Sequence, residues 1–332
     1  WVDFSSYFHL FTGLMLVMAI LVWAYLIYLR KFEFSSRIST LTRRVYKKML
    51  LFGAMGLLGN SLATLISYID TLMLGSLTGQ EDVAIFSIGY YLITVMTAPY
   101  QAINAVISPL LAKAIRHKEW DRVLEYYQKT STNHFIIGSF ILGGILICFP
   151  DFIRLLPPGQ GYEASFSILL FFGAGKLLDM ISGCNAEIIS YSRYYRFIFY
   201  LQILVAIICI VSNYWLISHY GLRGAAISGL ICLVIYNASR FVFVKINMGL
   251  QPFSRATGLS LLVFAGSLML SWVISSTTRI HIEGHTHSSI ILNLLIKSSL
   301  WTLIFAFLLF GLKPSEDIEK FRVVIRNKIF RY

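Results

Sequence analysis

A lysine and an aspartate stand three residues apart in the apolar segment FFGAGKLLDMISG, as Lys176 and Asp179. At this spacing two side chains lie on one face of a helix, where a cation and a carboxylate can pair. Two interpretations stay open. The pair either neutralises itself and fixes helix packing, or it forms a charged lining of a polar pathway. Both require that this helix face meets protein or water, because an ionised group is costly in hydrocarbon.

A further carboxylate, Asp70, stands in the apolar segment NSLATLISYIDTLMLG, residues 60–75. The same segment begins with Asn60, and glycines and hydroxyl side chains share its helix. Small residues allow close helix contact, and polar side chains supply hydrogen bonds in a dry setting. We therefore predict that Asp70 makes a helix–helix hydrogen bond. The alternative is a gating or protonatable group. The candidate pathway residues are Lys176, Asp179, Asp70 and Asn60.

The composition places these residues in a membrane. Hydrophobic residues make up 57% of the chain, charged residues 13%, and the mean hydropathy is +0.71. Soluble domains are about 45–50% apolar and about 25% charged. A helical span needs about 20 apolar residues, and the apolar runs are too long and unalternating for barrel strands. We predict an all-α polytopic membrane protein with about nine transmembrane helices, roughly 7–29, 50–75, 83–111, 133–153, 164–190, 197–218, 225–244, 256–275 and 290–312.

Basic residues collect in alternate connecting segments. Segment 30–48 carries a net charge of +6, and the other segments predicted on its side each carry +2 or +3. The segments predicted on the opposite side sum to −3. The positive-inside rule places the basic segments and the C-terminus in the cytoplasm. This asymmetry accounts for the sequence pI of about 9.5, so no nucleic-acid partner is expected.

Three more charged residues, Glu187, Arg240 and Lys297, fall near the ends of their runs. Long side chains can extend to a polar boundary, so we interpret them as snorkelling.

No metal or cofactor is expected from the remaining residues. The cysteines lack CxxC spacing and are interpreted as small packing residues within spans. The histidines of HIEGHTH, residues 281–287, are interpreted as surface polar residues of an outer loop. No GxxxxGKS loop is present, which argues against direct use of ATP.

Two motifs carry a family resemblance. The first is KKMLLFGAMGLLGNSLATLISYIDTLMLGSLTGQEDVAIFSIGYYL, followed by a proline-containing helix that ends in SPLLAKAI. The second is YGLRGAAISGLICLVIYN, residues 220–237. Together they resemble the Wzx-like polysaccharide flippases of the multidrug/oligosaccharidyl-lipid/polysaccharide exporter superfamily. In that family an Asp precedes Leu-Gly, here Asp70, Leu74 and Gly75, and a Tyr-Gly-x-x-Gly-Ala-Ala segment joins two late helices.

The resemblance implies a fold of two six-helix lobes related by a twofold axis along the membrane normal. Residues 1–48 are then the last helix of the first lobe with a basic loop, and 49–247 form the second lobe. Residues 248–332 supply two additional helices and a basic tail. No earlier copy of the Asp-x-x-x-Leu-Gly motif precedes residue 50. The chain is therefore expected to be a C-terminal portion that lacks the first five helices.

The resemblance also implies a function. The family moves undecaprenyl-diphosphate-linked oligosaccharides across the bacterial cytoplasmic membrane, and sugar hydroxyls could not cross hydrocarbon unaided. Lys176 is the expected cation for the diphosphate. The expected partners are this substrate, membrane lipids and other polysaccharide-assembly membrane proteins, and the protein is expected not to be an enzyme. The alternatives are a cation-coupled multidrug exporter or a membrane-embedded polysaccharide polymerase or acyltransferase.

Overall fold

The computed structural model describes residues 4–29, 40–156, 161–277, 287–314 and 318. Within these residues the chain is helical and contains no strand. Eight helical segments are long and apolar enough to cross a membrane. The protein is thus an all-α polytopic membrane protein. Its helices are α1 Phe4–Tyr28, α2 Thr40–Leu77, α3 Gln80–Thr94, α4 Thr97–Arg116, α5 Trp120–Ile153, α6 Ser165–Ile181, α7 Asn185–Tyr191, α8 Arg196–Met248, α9 Arg255–Thr277 and α10 His287–Leu312.

The helix α8 is a hairpin of two spans. Its backbone breaks at Gly221, where φ is 54° and ψ is −132°, a conformation that favours glycine. Residues at similar distances from this point meet across the hairpin: the Oγ atoms of Ser212, nine residues before it, and Ser228, seven residues after it, lie 2.6 Å apart. The prediction of separate spans at 197–218 and 225–244 is confirmed. Divided at Gly221, the candidate spans of the described residues number nine.

The chain forms two compact units, residues 1–54 and 55–332. The first unit contains α1, whose apolar side chains are exposed around the helix. A helix that is apolar all round suits a lipid environment. The boundary falls within α2, and the second unit contains the rest of α2, the helices α3–α10 and the buried core. The lobe boundaries expected at residues 48 and 247 stay a prediction.

The fifth apolar run, predicted as one span over 164–190, is broken into α6 and α7. Gly183 has a φ of 58° and interrupts the helix. Hydroxyl groups of α5 satisfy the freed backbone groups: Ser131 Oγ donates to the Ile181 carbonyl over 2.5 Å, and the Cys184 amide donates to Thr130 Oγ1 over 3.3 Å. Irregular backbone at membrane depth requires such partners, because lipid offers none.

Two other expectations are corrected. The third run, predicted as one span over 83–111, divides at Val95 and Met96 into α3 and α4, and Pro99 lies in the first turn of α4. The proline there costs no hydrogen bond, since the first amides of a helix have no partner within it. Segment 112–132, predicted as a loop, is mostly helical, and only residues 117–119 separate α4 from α5.

The connecting segments of the second unit gather at two ends. One buried cluster, formed by the C-terminal part of α4, the start of α5, α7 and the end of α8, includes Leu111, Val123, Ile188 and Val244. The other includes Leu74 and Leu222 and lies along the opposite parts of α4 and α5. The alternation predicted from charge agrees with this arrangement. Which end faces the cytoplasm stays a prediction.

The helices α9 and α10 pack against α5. The indole of Trp301 on α10 is 1% exposed and lies against Gly143 and Gly144. Its Nε1 donates to the carbonyl of Phe140 over 2.9 Å. The two glycines create the groove, because any side chain at Gly143 would occupy the space of the indole.

We expect Gly143→Ala to destabilise the protein by about 1–3 kcal/mol, the usual cost of overpacking. The matched control is Gly258→Ala on α9, where an added Cβ meets no atom within 4 Å. Thermal unfolding of the purified protein in detergent micelles measures both. An unfolding temperature unchanged by Gly143→Ala would show that α10 does not depend on this groove.

Candidate functional site

A cavity of about 340 Å³ lies within the second unit. Its wall is formed by α2, α3, α4, α6 and both arms of the α8 hairpin, and it is mainly apolar and aromatic. Two residues predicted from the sequence, Asp70 and Lys176, line it. Its other polar and aromatic members are Tyr90, Thr94, Thr97, Phe172, Gln202, Cys209, Cys232 and Tyr236.

The lysine and aspartate of α6 form the ion pair that their spacing predicts. Lys176 Nζ lies 3.0 Å from Asp179 Oδ2, and their side chains are 18% and 15% exposed. The same ammonium group lies 4.7 Å from the centre of the Tyr100 ring, a favourable position for a cation. Lys176 therefore borders the cavity while Asp179 stands behind it.

Arg240, on the second arm of α8, completes this cluster. Its Nη2 lies 2.7 Å from Asp179 Oδ1 and donates to Asn237 Oδ1 over 2.5 Å. The guanidinium carbon lies 4.1 Å from the centre of the Tyr236 ring. The snorkelling interpretation of Arg240 is wrong, because the residue is 3% exposed and points at a carboxylate within the bundle. One carboxylate thus bridges two cations, and the three charges together leave +1.

Polar groups continue from this cluster along α5 and α7. His134 and Asn185 are fully buried. Among the described residues, the two ring nitrogens of His134 and the two amide atoms of Asn185 have no hydrogen-bond partner. Glu187 is half-buried, and its Oε2 also has no hydrogen-bond partner there, whereas its snorkelling stays a prediction. Buried groups of this kind usually bond to ordered water or a ligand. Buried polar groups therefore extend from the cavity toward this end of the second unit, beside its hydrophobic cluster.

Asp70 connects α2 to the first arm of α8. It is 6% exposed, and its Oδ1 accepts a hydrogen bond from Asn213 Nδ2 over 2.5 Å and one from Cys209 Sγ over 3.5 Å. This geometry agrees with the predicted helix–helix hydrogen bond and also places the carboxyl group at the cavity. The side chain of Asn60 lies outside the described residues.

We expect Asp70→Asn to preserve the amount of folded protein, because an amide keeps the shape and the hydrogen bonding. Asp70→Leu should destabilise by about 1–3 kcal/mol, since it deprives the buried Asn213 amide of an acceptor. Fluorescence-detected size-exclusion chromatography measures the monodisperse fraction, and Tyr68→Leu, at an exposed position of the same helix, is the control. Equal yields for the Asn and Leu variants would remove any structural role of this bond.

Lys297 belongs to a different contact. Its Nζ lies 2.5 Å from Asp151 Oδ2, and Asp151 is 1% exposed in the last turn of α5. The snorkelling interpretation of Lys297 is wrong, because its ammonium group pairs with this buried carboxylate. The ion pair joins α10 to α5 outside the cavity.

Sequence reasoning missed Arg240 and Tyr100 as partners of the α6 pair. A signal for Arg240 existed, since Tyr236 and Asn237 precede it by four and three residues, the spacings at which helix side chains meet. No comparable signal marked Tyr100. Within the described part of the chain, no group of three or more His, Cys, Asp or Glu side chains is placed to hold a metal ion. The histidine side chains of segment 281–287 lie outside it.

Residues 3–115, about a third of the chain, match the model of a family described as polysaccharide biosynthesis protein. The matched region contains the first sequence motif and Asp70, whereas the motif at residues 220–237 lies beyond it. No curated protein and no solved structure matches the chain. The chain is similar to this family over α1–α4, which fits a multi-pass membrane protein with a polysaccharide-related transport role.

Proposed function

We propose that the protein flips a lipid-linked oligosaccharide, carried on undecaprenyl diphosphate, across the bacterial cytoplasmic membrane for surface polysaccharide biosynthesis. The observation that carries this proposal is a cavity among membrane spans whose wall presents the ammonium group of Lys176. The similarity to a polysaccharide biosynthesis family supports it. The protein acts as a transporter and not as an enzyme, and it works beside other polysaccharide-assembly membrane proteins.

The charge cluster suits a diphosphate. The oxygens of the diphosphate can accept hydrogen bonds from Lys176 and so compete with Asp179 for this ammonium group. Asp179 then keeps its ion pair with Arg240. Charge-assisted bonds of this kind are about twice as strong as neutral ones. The hydroxyl and amide groups of Thr94, Thr97 and Gln202 can bind sugar hydroxyls that would otherwise lose their hydrogen bonds in hydrocarbon. The lipid tail stays in the bilayer.

A cation-coupled multidrug exporter is the second candidate. The observation that favours it is the carboxyl group of Asp70 in a cavity wall that is otherwise largely apolar and aromatic. Such a wall would bind organic cations through cation–π contacts. The ammonium group of Lys176 in the same wall opposes this choice.

Complementation separates the two. The full-length gene should restore surface polysaccharide in a host that lacks its own flippase. Drug resistance without restored polysaccharide would support the exporter instead. A host that gains neither surface polysaccharide nor drug resistance would refute both candidates.

We expect residues 117–119 to face the cytoplasm and residues 78–80 to face the outside. Single cysteines at Lys118, between α4 and α5, and at Gln80, the first residue of α3, test this orientation in a background without the native cysteines, since both positions are exposed. A membrane-impermeant maleimide applied to intact cells should label the Gln80→Cys variant only. Labelling of both variants would contradict the nine-span topology, and labelling of Lys118→Cys alone would reverse it.

A further inference from the structure

Two thiols from opposite arms of the α8 hairpin line the same cavity. Cys209 lies on the first arm and Cys232 on the second, nearly equidistant from the break at Gly221. They belong to one buried cluster, and Ser212, one turn along from Cys209, places its Oγ 4.0 Å from Cys232 Sγ. Both are buried, at 1% and 5% exposure, yet both border the cavity.

The polar neighbours of the pair are an amide, a carboxyl group and a small hydroxyl. Asn213 Nδ2 donates to Cys209 Sγ over 3.3 Å, and Cys209 Sγ donates to Asp70 Oδ1 over 3.5 Å. Ser212, on the first arm, places its Oγ 4.0 Å from Cys232 Sγ on the second arm. Each thiol therefore has a polar side chain beside it in a largely apolar wall.

We propose that Cys209 and Cys232 form a binding site for a soft, two-coordinate d¹⁰ cation such as Ag(I) or Cu(I). Thiolates select soft cations. Linear coordination needs two sulfur ligands and no third. This agrees with the finding that no three ligating side chains converge in the described part of the chain.

The charges of the reaction balance. Each thiol loses its proton and forms one bond to the entering monovalent cation. Both protons leave the thiols, so uptake of one cation releases two protons, and the bis-thiolate complex carries −1. No electron is transferred.

Occupancy would bridge the two arms of α8 beside the cavity and would release Cys209 from Asp70. The site depends on the hairpin and not on the transported substrate. Its test is therefore independent of the proposed function.

The probe is Ag⁺, as the nitrate in chloride-free buffer, titrated into the purified chain in detergent micelles after reduction and removal of the reductant. We expect one tightly bound ion per chain. Cys209→Ser and Cys232→Ser should each weaken binding by about 100-fold or more, because the second thiol acts at a high effective concentration. The matched controls are Cys148→Ser and Cys184→Ser, whose single thiols lie on other elements.

A second measurement identifies the ligands directly. Bound Ag⁺ should protect two thiols from N-ethylmaleimide, and mass spectrometry should locate them at Cys209 and Cys232. Tight binding retained by either serine variant, or protection of a different pair, would overturn the proposal. So would a wild-type protein that forms a Cys209–Cys232 disulfide in air but binds no Ag⁺ once reduced.

Discussion

Asp179→Ala is expected to lower the free energy of unfolding by about 3–5 kcal/mol, the usual cost of breaking a buried ion pair from one side. The carboxylate is the shared partner of Lys176 and Arg240, at 3.0 and 2.7 Å. Without it two cations face each other inside the bundle. Arg240 cannot escape to solvent, since its side chain is 4% exposed. Chemical unfolding in micelles, followed by tryptophan fluorescence, measures the loss.

The double variant Asp179→Ala, Arg240→Met provides the control. It removes the buried guanidinium together with its carboxylate and leaves Lys176, which borders the cavity and can be hydrated there. We expect it to be more stable than Asp179→Ala alone, because coupled residues are not additive. A double variant at least as unstable as the single one would mean that Arg240 stabilises the bundle by packing and not through its charge.

The span positions were predictable because they depend on local composition. The hairpin of α8 follows from two apolar runs, 197–218 and 225–244, that a Tyr-Gly segment separates. The Lys176–Asp179 pair was predictable for the same reason, since an i, i+3 spacing fixes which face both residues share.

Contacts between distant helices were not predictable in this way. Arg240 pairs with a residue 61 positions earlier, and nothing in the periodicity of its own run names that partner. The general rule that a long cation near a span end reaches for solvent then gave the wrong answer. The break at Gly183 was also hidden, because the hydroxyls that stabilise it belong to α5, about fifty residues away.

The ion pairs of Lys176 and Lys297 lie in different parts of the fold. Lys297 and Asp151 join α10 to α5 away from the cavity, whereas Lys176 borders the cavity directly. Matched substitutions of the two lysines can therefore separate a loss of stability from a loss of transport, which a single variant cannot.

Lys176→Met is expected to lower transport by about tenfold or more per folded molecule, since a hydrogen bond to a charged group is worth about 1.5–3 kcal/mol. Lys297→Met should lower the folded amount, because among the described residues it leaves the buried Asp151 with only the 3.5 Å contact to Arg154. It should spare transport by the molecules that fold. Surface polysaccharide, divided by the amount of monodisperse protein, measures both. Normal transport by Lys176→Met, or by the double variant Lys176→Ala, Asp179→Ala, would show that the pair neither binds the substrate nor switches the transporter.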